Sequence, residues 1–168
     1  PVALAGVMGG EGSKVAPETT QLLLEVASFD ATTVRRTATR VGLRTDSSAR
    51  FEKSLDPCMV PDAAGHLVRT LQALQPAVKL PAAPGAVGEW RDPSTTVDLR
   101  GDLVRSLLGV DLSDQDITGK LNALGFGVED VDGVLRVSVP SYRATKDIGQ
   151  AEDLVEEVGR LHGYDQID

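Results

Sequence analysis

Residues 147–157 hold five carboxylates, Asp147, Glu152, Asp153, Glu156 and Glu157, just ahead of a Gly-Tyr-Asp sequence at 163–165. On a helix beginning near Ala151, successive residues advance by about 100°. Asp153, Glu156 and Glu157 then share one arc, while Leu154, Val155, Val158 and Leu161 share the opposite side. The spacing predicts carboxylates that project together, away from a core. Two chemistries suit such a group. One is a solvated acidic first turn, with Asp147 favoured near the positive end of the helix dipole. The other is a site for a hard cation such as Mg²⁺, which takes carboxylate oxygens and keeps several waters. Spacing alone leaves both open.

A second candidate is Glu25, inside the apolar run QLLLEVASFD at 21–30, which reads as a buried strand. An unpaired buried carboxylate is costly, so Glu25 is either hydrogen-bonded structure or the reader of a ligand. The glycines of AGVMGG, residues 5–10, permit close backbone approach or mark a turn. Over 31–55, Arg35, Arg36, Arg40, Arg44, Arg50 and Lys53 stand against only Asp46 and Glu52, a local balance of +4. That is either a solvated face or a surface for nucleic-acid backbone. His66 and His162 fall inside helical patterns without a visible partner and read as packing or surface residues. Cys58, beside Pro57, has no nucleophile arrangement around it.

The elements that position these residues form two units. The chain has 168 residues and is 41% hydrophobic, which suits a globular fold. No run approaches the roughly 20 apolar residues of a membrane span, and no signal peptide is visible, so a soluble, intracellular protein is expected. The single cysteine excludes an internal disulfide or a cysteine-rich metal site and fits a reducing compartment. Acids and bases balance at ten each over residues 1–92, whereas residues 93–168 hold 15 acids and 7 bases, and so carry the whole net charge of −8. Between the halves, Pro76, Pro81, Pro84 and Pro93 break any helix and mark a connection.

In the first unit, residues 1–10 read as a buried strand entering a glycine turn, an opening expected of a piece cut from a longer polypeptide. Val34, Ala38 and Val41 predict a helix ended by Gly42; Ala63, Leu67, Leu71 and Leu74 predict another over 58–75. In the second unit, residues 95–99 suggest a strand and Asp102 to Leu108 a short helix ended by Gly109. Ser113 and Asp116 resemble a capping box, Leu112 and Ile117 a hydrophobic staple, and Ile117, Leu121 and Leu124 a buried stripe. Asp132-Gly133 predicts a two-residue hairpin turn, with Leu135, Val137 and Val139 alternating toward one face. Helices, a hairpin and a closing helix describe a winged-helix-like unit. The fold class expected for the whole chain is therefore α+β, a partial mixed unit followed by the small winged-helix-like one. Such a unit invites DNA, but its acidity argues against phosphate binding and for packing on protein.

Taken in order, ALAGVMGG, LLLEVASFD, GLRTDSSARFEKSLDP and PSYRATKDIGQAEDLVEEVGRLHGYDQI resemble the β subunits of bacterial phenylalanine-tRNA ligases. The resemblance covers most of the chain; the proline-rich connection contributes little to it. It implies the rear part of a B3/B4 editing domain over residues 1–85, a linker to about residue 92, and a B5 domain over 93–168. It implies a ligase that joins phenylalanine to tRNA(Phe) with ATP, both used at an α-subunit site outside this chain. The expected partners are the α subunit, in a heterotetramer of two α and two β, and tRNA(Phe), with no DNA and no membrane; the expected location is the cytoplasm. The family's Mg²⁺ site at the α contact maps to Asp147, Asp153, Glu156 and Glu157.

The same resemblance implies hydrolysis of tyrosine wrongly esterified to tRNA(Phe), because an apolar pocket rejects one extra hydroxyl imperfectly. Glu25 maps to the reader of that hydroxyl, Gly9 to a pocket glycine and Thr45 to a threonine that positions ester or water. Ser47 departs from an alanine found in some members. Further pocket residues, a histidine among them in many members, belong to the upstream half of that domain, so the chain by itself is expected to be inactive. The contrasting expectation is a non-catalytic, acidic winged-helix-like interaction module.

Overall fold

The computed structural model describes residues 1–167. Its regular elements mix helices with two small antiparallel sheets, an α+β chain, and it divides into two compact units, Pro1–Asp92 and Pro93–Asp168.

In the first unit, β1 (Ala3–Leu4) and β2 (Met8–Gly9) form a short hairpin, followed by α1 (Ala31–Val41), α2 (Asp46–Phe51) and α3 (Val60–Leu74). Asp30 starts α1 by accepting the Thr33 amide at 2.7 Å, a cap that side-chain oxygens of this type provide for the unpaired amides of a first turn. The core is small. Val7, Val34 and Ala38 are buried, with Phe29 and Phe51 packed against them edge to face, ring centroids 4.8 Å apart. Gly6, with φ +69°, passes so close that a Cβ there would lie 2.9 Å from Val34 Cγ2 and 3.0 Å from the Phe29 ring. Any side chain would push the hairpin off the core.

Three expectations for this unit fail. Residues 1–10 are an exposed hairpin rather than a buried strand, with only Val7 buried. Residues 21–30 have no regular structure, and Leu22, Leu23, Leu24 and Glu25 are exposed. No strand of the first unit pairs with them, and extended backbone without a ladder partner must keep its amides and carbonyls in water. Only the end of the run folds inward, where Phe29 packs and Ser28 Oγ donates to the Leu55 carbonyl at 3.2 Å. Helix α3 forms, but it has no buried residue, and Leu74 is exposed. Its packed side is turned by about one residue: Ala64 and Val68, rather than Ala63 and Leu67, line a groove with Leu24, Val26 and Leu80.

The second unit is built more completely. β3 (Thr95–Leu99), β5 (Val134–Val139) and β4 (Gly127–Val131) form one antiparallel sheet with β5 in the centre. Leu99 lies opposite Leu135, and Val97 opposite Val137. The alternation at Leu135, Val137 and Val139 puts all three into the core, against Val104 of α4 (Gly101–Leu108), Ile117 and Leu121 of α5 (Asp114–Ala123), and Leu154 and Val158 of α7 (Ala151–His162). The capping box is present: Ser113 Oγ accepts the Asp116 amide, and Asp116 accepts the Ser113 amide. The Ser113 hydroxyl, then its amide, hold the Asp116 carboxyl below the usual carboxylate range. Asp132 and Gly133 both have positive φ, +54° and +81°; this is the two-residue turn whose twist matches its strands, and glycine adopts it freely. A short α6 (Ser141–Ala144) leads from the sheet toward α7.

Residues 75–92 between these units are largely irregular and exposed. Limited proteolysis is therefore expected to cut first there and release a resistant piece beginning near residue 90, identified by mass. First cleavage within residues 113–139 would contradict the core described for the second unit.

Candidate functional site

Two places gather the residues singled out in the sequence. The first lies where α2 meets the hairpin. Thr45 precedes α2 and its hydroxyl accepts the Ser48 amide at 3.1 Å, while Ser48 Oγ accepts the Thr45 amide at 2.9 Å. The Thr45 hydroxyl also donates to the Val7 carbonyl at 2.6 Å, and Ser47 Oγ donates to the Gly6 carbonyl at 3.2 Å. These two bonds join the start of α2 to the turn between β1 and β2. Beside them lies a cavity of about 430 Å³ lined by the hairpin through Gly9, by Glu25, Ala27 and Phe29, and by Thr45, Asp46, Ser47 and Phe51.

Gly9, Glu25, Thr45 and Ser47 thus share one cavity, although they are spread over 39 positions of the sequence. Phe29, Phe51 and Ala27 offer apolar contact, and Glu25 an exposed acceptor. This pairing suits an aromatic side chain with a polar tip. Both hydroxyl protons are engaged by backbone carbonyls, so Thr45 and Ser47 position the wall and are not set up as nucleophiles. Gly9 itself is not crowded; a Cβ there would meet nothing within 4 Å, whereas one at Gly10 would lie 2.6 Å from the Val2 carbonyl oxygen. The close backbone approach expected of the glycines in AGVMGG is thus made at Gly10, while Gly9 lines the cavity.

The second place is the start of α7. Asp153 caps the helix, accepting the Gly149 amide at 2.8 Å and the Gln150 amide at 3.0 Å with one oxygen. Glu156 is exposed. Glu157 departs from the expected outward arc and is only 5% exposed. It lies about 60° from Leu154 around the helix, close enough to the apolar side to be drawn inward by a cation. That cation is Arg143 of α6, whose Nη2 lies 3.0 Å from Glu157 Oε1, with Arg160 Nη2 2.8 Å from Oε2. Arg143 also pairs with Asp147 and sits 5.2 Å over the Phe126 ring. Burial disfavours its charge, but the hydrogen bonds to Asp147 and Glu157 outweigh this and hold its pKa above the ordinary value. The i, i+4 spacing of Arg143 and Asp147 was the available clue to this network.

Carboxylates are the right donors for Mg²⁺, but the four do not form a set. Glu157 gives both oxygens to arginines. Among the described residues, no three His, Cys, Asp or Glu side chains gather in a metal-holding arrangement.

Comparison with known proteins places the chain in one family. Residues 1–76 match the B3/4 domain model, and residues 97–164 match the tRNA synthetase B5 domain model. Over 99% of its length the chain is 42% identical to the phenylalanine-tRNA ligase beta subunit of Salinibacter ruber and 41% identical to that of Solibacter usitatus. The chain belongs to the phenylalanine-tRNA ligase β-subunit family. The resemblance read from the motifs is thereby borne out. The chain spans about a fifth of the length of these relatives, 20% and 22%. An N-terminal fragment of the phenylalanyl-tRNA synthetase beta subunit from Pyrococcus horikoshii aligns with 42% of the chain, 20% of that fragment, at 28% identity, but with a TM-score of 0.38 the likeness carries no argument. In this family member, the cavity falls within the B3/4 match and the acidic helix within the B5 match.

Removing one partner of a buried ion pair strands the other, at a cost of about 3–5 kcal/mol; the exposure of Arg160 favours the lower end. Glu157→Gln is therefore expected to destabilise the second unit by about 3 kcal/mol, while Glu156→Gln stays within about 0.5 kcal/mol. Denaturant unfolding of both variants checks this, and equal stabilities would remove the structural role from Glu157.

Proposed function

We propose that this chain serves, within a phenylalanine-tRNA ligase β subunit, as part of the surface that hydrolyses tyrosine misattached to tRNA(Phe), joined to a module that contacts the α subunit. Residues 1–85 form part of the editing domain, with the connection reaching about residue 92, and residues 93–168 form the B5 domain. Attachment of phenylalanine with ATP occurs at the α-subunit site. The assembly is a heterotetramer of two α and two β in the cytoplasm; among the described residues no helix is long and apolar enough to cross a membrane. The observation that carries the editing reading is the convergence of Gly9, Glu25, Thr45 and Ser47 on one cavity.

In that cavity the tyrosine ring lies against Phe29 and Phe51, and Glu25 accepts a hydrogen bond from the phenol. A hydrogen bond to a charged acceptor contributes about 1.5–3 kcal/mol. Phenylalanine seated there strips water from the carboxylate and returns nothing, so the discrimination grows as the ligand excludes solvent. Thr45 and Ser47 hold the wall against which the ester carbonyl rests. Water then adds to that carbonyl, the bond to the ribose oxygen breaks, and the ribose oxygen takes up a proton. With Glu25 engaged by the phenol and both hydroxyl protons engaged by the hairpin, the base that takes the water's proton is assigned to the remainder of the editing domain.

On the B5 side, Asp147, Asp153 and Glu156 do not gather into a metal-holding group by themselves, so a Mg²⁺ ion held by them at the α-subunit contact would need that subunit and water to supply the rest of its shell. Asp147 and Asp153 each keep one oxygen outside the bonds described above, and Glu156 keeps both. Glu157 is left out of the set, as the anchor of Arg143.

In the full-length subunit with its α partner, Glu25→Ala is expected to lower the preference for tyrosyl over phenylalanyl ester hydrolysis by about ten-fold or more, with phenylalanine attachment unchanged. An unchanged hydrolysis ratio rejects Glu25 as the reader.

A further inference from the structure

The cavity that holds Glu25 has a neighbour. A second cavity, of about 470 Å³, is lined by Arg35, Ala38 and Thr39 of α1, by Gly42, and by Arg44, Glu52 and Lys53 flanking α2. Three of these side chains are cationic and one is anionic. Glu52, with its side chain 11% exposed, is already held by Arg44 at 2.7 Å. Arg35 and Lys53 are exposed and form no ion pair among the described residues. Helix α1 has no acid to offer them, since it carries Arg35, Arg36 and Arg40 and not one carboxylate. Uncompensated cations around a concavity concentrate positive potential there, and a guanidinium meets phosphate oxygens with two parallel hydrogen bonds.

The two cavities are lined from adjoining residues at both ends of α2. Thr45 lines the first and Arg44 the second; Phe51 lines the first, Glu52 and Lys53 the second. In an aminoacyl-tRNA the ester hangs from the terminal ribose, which also bears the last phosphate of the strand. An ester seated beside Thr45 therefore leaves a phosphate within a nucleotide's reach. We infer that the cavity lined by Arg35, Arg44 and Lys53 is a phosphate subsite for the 3′ end of the same RNA, with Arg35 and Lys53 supplying the free charge. The identity of the ligand rests on the ester-hydrolysis reading; the anion chemistry does not.

The test uses the full-length subunit and a fluorescent single-stranded RNA ending in CCA, with binding followed by anisotropy across a salt series. Each phosphate contact on a single strand contributes about 0.7 to the slope of log K against log salt. Arg35→Ala with Lys53→Ala is expected to weaken binding about ten-fold near physiological salt and to flatten the slope by about 0.7, the contribution of one phosphate. Lys79→Ala, a cation of the same unit outside this cavity, is expected to leave the slope as it was. Arg35→Lys with Lys53→Arg keeps both charges and should keep the slope; a loss as large as that of the alanine pair would mean a structural effect and overturn the inference. Inorganic phosphate at matched ionic strength is expected to compete weakly, and displacement of RNA by free phosphate at micromolar concentration would also overturn it.

Tyrosyl-tRNA hydrolysis on the same preparations separates the two ideas. Glu25-dependent hydrolysis with an unchanged salt slope in the alanine pair rejects the subsite alone. Charge-dependent RNA binding without ester hydrolysis keeps the subsite and rejects the ester reading.

Discussion

The Thr45 hydroxyl donates to the Val7 carbonyl at 2.6 Å while accepting the Ser48 amide at 3.1 Å. One atom thereby caps α2 and anchors the hairpin, and caps of this kind are worth about 0.5–2 kcal/mol. The anchored turn carries Val7, the one buried residue of residues 1–10, into contact with Val34 and Ala38. The cavity beside Glu25 has its shape only because hairpin and helix are joined at this point. The same bond engages the Thr45 hydroxyl proton with a backbone carbonyl, so this side chain orients the wall of the cavity.

The second unit solves a different problem, how to bury a carboxylate. Glu157 faces a core-lining side of α7, and removing it from water without partners is prohibitive. Arg143 and Arg160 occupy its two oxygens, and Arg143 reaches on to Asp147 and to the face of Phe126. The segment between β5 and α7 is thereby tied to the closing helix by charge as well as by Ile148 and Leu154 in the core. The acidic excess of this unit is thus not one uniform surface. Part of it is internal and neutralised, and Glu156 remains exposed.

How much of this was legible in the sequence depended on whether a signal was local. Capping at Ser113 and Asp116, the Asp132-Gly133 turn and the alternation of Leu135, Val137 and Val139 depend on neighbours a few residues away, and each formed as read. Burial was less legible wherever it depended on a distant partner. Residues 21–24 have a strand's composition, yet nothing in the first unit pairs with them, so they stay in water. The inward turn of Glu157 depended on Arg143, fourteen positions earlier, which the helical wheel of α7 alone does not include. For the candidate cavity, Glu25 stood out by its apolar neighbours and Thr45 and Ser47 by resemblance, and their meeting in space was visible only once the hairpin and α2 were seen joined.

The most direct test of the central claim is a crystal structure of the full-length subunit with a non-hydrolysable amide analogue of tyrosyl-adenosine. The account predicts the tyrosine ring lying against Phe29 and Phe51, its hydroxyl within hydrogen-bond distance of Glu25, and the amide carbonyl beside Thr45. An analogue bound elsewhere in the subunit, or bound here with its hydroxyl turned away from Glu25, would contradict it.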